Sequence, residues 1–264
     1  MTNAVSRIVI AVALLPVVLA GAYYGGWWLF ALVAFAAAVS LHEYWLMARP
    51  LAPLAPAGYV GGGLALAGAQ AGGIGWMLGG ALTSFVVAFV LKAVSETRQA
   101  ATIAISGTVA GTFWIAGGLG FLLLLRALPQ HGRLALFTVL LAVWAGDTLA
   151  YAGGRVFGRH KMAPTTSPGK TWEGFAFGTA ATVFVAFIAL YKQHFLTIPQ
   201  SLVLGAVLAV AAPLGDLYES LLKRDAGVKD SGRLLAGHGG MLDRLDAFLF
   251  AAPAAFFTIL AFAR

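Results

Sequence analysis

Residues 101–125 read ATIAISGTVAGTFWIAGGLGFLLLL, a stretch without one charged side chain. At about 1.5 Å of rise per residue, a helix of this length exceeds the roughly 30 Å hydrocarbon core of a bilayer. The rest of the chain has the same character, since 60% of its 264 residues are hydrophobic and only 10% are charged. The sequence therefore predicts an all-α fold, a polytopic bundle of helices integral to a membrane.

Nine apolar runs are long enough to be considered as spans. They cover residues 8–23, 27–47, 57–73, 74–91, 101–125, 134–157, 171–191, 202–222 and 245–262. The third run is short and rich in glycine, so an alternative joins it to the fourth as one long kinked helix. We expect residues 1–133 to serve packing and dimer contacts, and residues 134–264 to carry the catalytic helices and cytoplasmic loops.

The distribution of basic residues favours nine spans. With nine spans, only four of the seventeen Lys and Arg lie on one side of the membrane, namely Arg126, Arg133, Lys192 and Arg264. Merging the third and fourth runs weakens this partition to eleven against six. Because cytoplasmic loops are enriched in Lys and Arg, the N-terminus and the loops at 155–171 and 223–244 are expected in the cytoplasm. The same rule explains the net charge of +7 without nucleic acid as a partner.

Small residues recur along the third and fourth runs. They are Gly61, Gly62, Gly63, Gly72, Gly73, Gly79 and Gly80. Small side chains let membrane helices approach closely, so packing within one chain and contact with a second copy, a homodimer, both stay open.

The charged residues of the chain concentrate in DLYESLLKRDAGVKDSGRLLAGHGGMLDRLD, residues 216–246, which holds six of its ten Asp and Glu. The spacing of Asp216, Glu219, Ser220 and Lys223 predicts one polar face on a helix. Ionisable groups at membrane depth are costly and mark functional sites. This segment is therefore the first candidate site.

Carboxylates without thiols suit a hard cation such as Mg²⁺, which bridges to substrate phosphates. Asp243 and Asp246 open the last span, and the glycine-rich run before them is expected to offer free backbone N–H groups to an anion. Basic residues near these carboxylates would bind phosphate; they are Lys223, Arg224, Lys229 and Arg233.

A second polar segment, GDTLAYAGGRVFGRHKMAPTTSPGKTWEG, covers residues 146–174. Asp147 is near the end of the sixth span, and the following loop contains hydroxyls, a cation and a carboxylate. These are Ser167, Lys170, Thr171 and Glu173. Such a mixture suits phosphate or nucleotide binding.

His42 and Glu43 lie within the second span. Contact with the active region is one interpretation, and a hydrogen bond between neighbouring helices is the favoured one. On that interpretation, Glu43→Gln should be much milder than loss of Asp243 or Asp246.

The two segments resemble the phosphatidate cytidylyltransferase, or CDP-diacylglycerol synthase, family. The similarity is carried by SLLKRDAGVKDSGRLLAGHGGMLDRLD (220–246), by GDLYES just before it and by SPGKTWEG upstream. Ala236 stands where the family usually has proline, and Gly169 replaces a common lysine.

The resemblance implies transfer of CMP from CTP to phosphatidic acid, giving CDP-diacylglycerol and pyrophosphate in phospholipid biosynthesis. It implies a cytoplasmic-membrane enzyme whose active site faces the cytoplasm and whose cofactor is Mg²⁺, with a second cation left open. Asp216, Asp243 and Asp246 are the expected metal ligands, and Asp147, Glu173 and Glu219 would support them. The resemblance completes the substrate site with Ser220, His238, Gly239, Gly240 and Arg244.

Three other classes of membrane protein are alternatives. A phosphotransferase acting on CDP-lipids would carry an Asp-Gly-x-x-Ala-Arg motif, which this sequence lacks, and a CTP-dependent lipid-alcohol kinase stays open. A transporter would place its charges near the bilayer midplane, whereas these charges cluster at helix ends.

Overall fold

The computed structural model describes residues 3–95, 100–232 and 239–262, with side chains from residue 14 onward. Arg98, Arg233, His238 and Arg264 lie outside the described residues. The described chain forms two compact units. The first comprises residues 1–127 and 225–245, and the second comprises 128–224 and 246–264.

The described chain is helical almost throughout. Its α-helices are α1 (Asn3–Tyr24), α2 (Gly26–Met47), α3 (Ala55–Ala93), α4 (Ala101–Gly111), α5 (Gly118–Arg126), α6 (Gly132–Phe157), α7 (Trp172–Leu190), α8 (Ile198–Asp225) and α9 (Leu242–Phe262). A π-helical segment, Thr112–Gly117, joins α4 to α5, and a 3₁₀ turn, Arg49–Leu51, follows α2. Seven helical segments of the described ranges are long and apolar enough to cross a membrane, and α1 contributes a shorter apolar stretch. The prediction of an all-α membrane protein is confirmed.

Helix α3 corresponds to the predicted third and fourth spans together. It is interrupted at Gly73, whose φ of 77° and ψ of −163° are not helical and suit only glycine. A Cβ added at Gly61 would lie 2.7 Å from the Ser84 backbone nitrogen, and one added at Gly80 would lie 2.5 Å from the Ala65 backbone nitrogen. Such pairing requires the two arms of α3 to run antiparallel, so two helices meet in a hairpin at Gly73, as the nine-span interpretation expects.

These contacts also show what several of the small residues do. Gly61 and Gly80 allow the two arms of α3 to touch, and Gly62 faces Leu41 and Ala116. They therefore serve packing within the chain. Contact between two copies stays a prediction.

The uncharged stretch 101–125 is the most enclosed span of the first unit. Of the 18 consecutive residues that are most apolar in this span, 78% are buried within the protein, against 28% for α3. Every residue from Gly118 to Leu125 is buried. A helix that is apolar on all sides is stable only when protein or lipid surrounds it, and here protein does so.

In the second unit, α6 and α7 pack closely because glycines leave no side chain between them. Gly146 faces the Thr182 hydroxyl, and a Cβ added at Gly178 would lie 2.8 Å from the Ala150 Cβ. Two short antiparallel strands, β1 (Lys161–Ala163) and β2 (Ser167–Thr171), connect the two helices, with Lys161 opposite Thr171 and Ala163 opposite Ser167. This hairpin lies within the predicted loop and was not expected from the sequence.

Candidate functional site

Four carboxyl groups of the second unit form an acidic cluster: Asp147, Asp216, Glu219 and Asp246. Asp147 lies on α6, Asp216 and Glu219 lie one turn apart on α8, and Asp246 lies near the start of α9. Asp246 lies close enough to Asp216 and Glu219 to interact electrostatically with both, and Asp216 in turn interacts with Asp147. Glu219 is fully buried and Asp246 is 8% exposed. Glu219 and Asp246 thus place negative charge where water cannot screen it fully, whereas Asp147 is exposed and Asp216 is half-exposed.

Gly215 brings α8 and α9 together at this point. An added Cβ there would contact the backbone oxygen of Asp246 and lie 3.2 Å from the Ala247 Cα. Aromatic rings extend the contact, with the centroids of Tyr218 and Phe250 5.8 Å apart. The absence of a side chain at Gly215 therefore sets the separation between the two helices that carry three of the four carboxyl groups.

Two lysines offset the charge of the cluster. Lys170 Nζ is 2.9 Å from Asp216 Oδ2 and donates to the Pro213 carbonyl at 3.2 Å. Lys223 Nζ is 2.7 Å from Glu219 Oε2. The side chains of Lys170 and Lys223 are only 19% and 12% exposed, so each ammonium group is held near the cluster instead of extending into solvent.

The predicted polar face of α8 is present. Besides the Lys223–Glu219 pair, Ser220 Oγ donates to Asp216 Oδ1 at 3.3 Å. Arg224 Nε donates to the Thr166 carbonyl at 3.2 Å. Through Lys170 and Arg224, the loop of the second polar segment is bound to α8, so two segments that are distant in sequence form one site in the second unit.

Other predicted residues of that loop have local structural contacts. Thr171 Oγ1 accepts the Gly174 N–H at 3.1 Å and caps α7. Glu173 accepts the Arg159 N–H at 3.1 Å and lies 2.6 Å from His160 Nδ1. Ser167 begins strand β2. Their expected roles toward substrate stay predictions.

The first unit contains the segment that leads into α9. Asp243 Oδ2 accepts the N–H groups of Ser231 at 3.1 Å and Gly240 at 2.7 Å. Glu43 accepts the N–H groups of Met241 at 2.9 Å and Leu242 at 2.8 Å. The expectation of free N–H groups for a substrate anion at this helix start is therefore wrong for Gly240, Met241 and Leu242, because carboxylates of the chain already bind them.

Both interpretations of Glu43 hold in part: it makes the expected hydrogen bond between helices, to Leu242 on α9, and it also contacts the predicted active region. Its carboxylate binds backbone groups of the polar segment before α9, and it also accepts the Ser231 hydroxyl at 3.0 Å. The sequence signal was a charged residue inside a span. It did not reveal the partner, because 188 residues separate Glu43 from Ser231.

The remaining predicted binding residues of the first unit lie around the same segment. Lys229 and Arg244 are exposed, and Gly239 has a left-handed φ of 78°. An added Cβ at Gly239 would lie 2.6 Å from Asp243 Oδ2. Arg233 and His238 are outside the described residues.

Comparison with known proteins identifies the family. The family model described as "Cytidylyltransferase family" matches residues 5–262. The chain belongs to the cytidylyltransferase family.

Similar curated proteins of this family are phosphatidate cytidylyltransferases of several bacteria. The Haemophilus influenzae protein is 42% identical over 130 residues, 47% of this chain and 45% of that protein. The Mycobacterium tuberculosis H37Rv protein is 44% identical over 135 residues, 50% of this chain and 40% of that protein. The Staphylococcus haemolyticus protein is 44% identical over 137 residues, 52% of each. The chain thus spans about half the length of the curated relatives it matches.

The donor chemistry of the acidic cluster fits Mg²⁺. Within the described ranges, no three His, Asp or Glu side chains are arranged as a ready-made metal cage. Mg²⁺ does not need one, because it keeps several waters and commonly binds one or two carboxylates together with substrate phosphates. Asp216, which is half-exposed, and the neighbouring Asp246 offer such carboxylates.

Proposed function

We propose that this protein is a phosphatidate cytidylyltransferase that converts CTP and phosphatidic acid to CDP-diacylglycerol and pyrophosphate. The observation that carries the proposal is the acidic cluster with Lys170 and Lys223 held against it. A mixed set of carboxylates and ammonium groups suits a reaction between polyanions. Family membership and the names of the relatives support the same reaction, and the membrane spans suit a lipid substrate.

In this reaction a phosphate oxygen of phosphatidic acid attacks the α-phosphorus of CTP. A new phosphorus–oxygen bond forms, the bond to the β-phosphate breaks, and pyrophosphate leaves with the electron pair. The attacking group is already an anion, so no strong general base is required. The chain's contribution is to bring the two substrates together and to stabilise charge on the leaving group. Lys170 and Lys223 are the cations proposed for that stabilisation, and Arg224 is the third candidate.

Asp216 and Asp246 would hold Mg²⁺, with Asp147 and Glu219 in support. Bound there, the ion would neutralise phosphate charge as it develops on the leaving group. Asp243, the third predicted ligand, lies one turn before Asp246 on α9, where it already accepts two backbone hydrogen bonds. Its role as a ligand remains part of the proposal.

We place the site on the cytoplasmic side of the inner membrane. The distribution of Lys and Arg across the nine spans supports this orientation, and the relatives are bacterial proteins. CTP is a cytoplasmic metabolite, so a cytoplasmic site gives the nucleotide direct access.

Purified protein in detergent micelles tests the proposal. CDP-diacylglycerol and pyrophosphate should form in equal amounts, only when CTP and phosphatidic acid are both present, and EDTA should stop the reaction. Asp216→Asn should remove most of the activity. Asp225→Asn is the matched control, because Asp225 is an exposed carboxylate further along α8. Phosphorylation of a lipid alcohol by CTP, with no product from phosphatidic acid, would replace this proposal with a kinase.

A further inference from the structure

Glu43 is a buried carboxylate outside the acidic cluster. It lies near the end of α2 and is 3% exposed. Its carboxylate accepts three hydrogen bonds, from the Ser231 hydroxyl and from the Met241 and Leu242 N–H groups. An ionised carboxylate is costly to bury unless such donors surround it. The burial of Glu43 therefore depends on these three donors.

The three donors come from the two ends of the segment 231–242. Ser231 precedes the part of the chain outside the described residues, and Met241 and Leu242 follow it. Met241 and Leu242 stand at the start of α9, where a helix favours negative charge. Glu43 therefore acts as the cap of α9, although it belongs to a distant helix.

Gly232 and Gly240, at the described ends of this segment, both lie against the carboxylate. An added Cβ at Gly232 would contact Glu43 Oε1, and one at Gly240 would lie 2.5 Å from Glu43 Oε2. Glycine at both positions lets the backbone approach the carboxylate closely.

Ser231 links Glu43 to a predicted site residue. Its hydroxyl donates to Glu43, and its backbone N–H donates to Asp243. Gly240 also lies near both carboxylates: its N–H donates to Asp243, and a Cβ added to it would lie 2.5 Å from Glu43 Oε2. A change at Glu43 would therefore move the groups that fix Asp243.

We propose that Glu43 is a positioning residue for cytidylyl transfer. It contacts no substrate; it holds Ser231 and the first turn of α9 so that Asp243 and Arg244 are presented in one orientation. The inference rests on the proposed function and adds to it a residue from the N-terminal half of the chain.

Glu43→Gln tests the inference because it keeps the size of the side chain but replaces one acceptor oxygen with an NH₂ donor. An error of about 1 Å in the placement of catalytic groups can cost about a hundredfold in rate. We expect kcat to fall by roughly ten- to a hundredfold, with a smaller change in the KM for CTP. The fraction of folded protein at the assay temperature should be unchanged, as measured by thermal unfolding in the same detergent.

Ser40→Ala is the matched control. Ser40 is a fully buried polar residue one turn earlier on α2, and its hydroxyl has no hydrogen-bond partner in the described part of the chain. This variant should keep wild-type kinetics. Ser231→Ala should lower kcat in the same direction as Glu43→Gln, and the double variant should be little worse than Glu43→Gln alone, because both changes break one interaction.

The outcomes separate the two proposals. Wild-type protein without phosphatidate-dependent turnover would refute the proposed function. With an active wild type, three results would each refute the positioning role: Glu43→Gln kinetics within twofold of wild type, a loss of activity that only follows the loss of folded protein, or independent effects of Glu43→Gln and Ser231→Ala. If Glu43→Gln does not fold, Ser231→Ala decides: a fall in kcat supports the role, and wild-type kinetics refute it.

Discussion

The close approach of α8 and α9 at Gly215 gives the sharpest test of the acidic cluster. In Gly215→Ala, the new methyl group would meet the Asp246 backbone oxygen and, at 3.2 Å, the Ala247 Cα. Backbone cannot rotate away as a flexible side chain can, so the helices must separate. Because Asp216 follows Gly215 directly, and Asp246 is the residue displaced, the cluster should be disturbed at its centre.

The expected magnitude comes from two opposing effects. Alanine is favoured over glycine inside a helix by about 0.5–1 kcal/mol. Overpacking a close contact costs about 1–3 kcal/mol. Gly79→Ala isolates the first effect, since Gly79 is an exposed residue of α3 with nothing within 4 Å of an added Cβ. Gly215→Ala should therefore be less stable than Gly79→Ala by about 1–3 kcal/mol.

Unfolding in mixed detergent micelles, monitored by circular dichroism, measures this difference, and CDP-diacylglycerol formation measures the consequence for the site. We expect Gly79→Ala to be as active as wild type and Gly215→Ala to lose about ten- to a hundredfold in kcat. Equal stability and equal activity of the two variants would refute the argument that Gly215 sets the separation of the helices.

Three further predictions follow from the charged groups and the spans. Asp246→Asn or Asp243→Asn should remove most of the turnover, and raised Mg²⁺ should partly restore it where a metal ligand was lost; near-normal activity of both variants would show that these aspartates are outside the site. Lys223→Met removes the ion-pair partner of the buried Glu219, and unfolding measurements should show a loss of about 3–5 kcal/mol that Glu219→Gln in the same chain partly restores; an unchanged unfolding midpoint would contradict this. Because the chain has no cysteine, single cysteines at Thr166 and Ala226 should react with an impermeant thiol reagent from the cytoplasmic side and one at Gln193 from the other; labelling of all three from one side would refute the nine-span topology.

Much of the site was predictable because its residues are close in sequence. The spacing of Asp216, Glu219, Ser220 and Lys223 predicts one helical face, and the structure pairs them along α8. The role of the glycine run before α9 was not predictable. Asp243 accepts the Gly240 N–H, but the Met241 and Leu242 N–H groups are bound by Glu43, and nothing in the local sequence indicates that partner.

The membrane class, the approximate spans and the polar segments could all be predicted from the amino-acid sequence, because hydrophobic length and helical spacing are local properties. The sequence also contained the reason for the turn in α3, since only glycine adopts the conformation of Gly73 readily. Only the packing of the helices brings the charged groups to their partners: Lys170 to Asp216, and Glu43 to the start of α9. These pairs join residues far apart in the chain, and they form because a carboxylate or ammonium group buried within a helical bundle must find a partner wherever the packing of helices brings one.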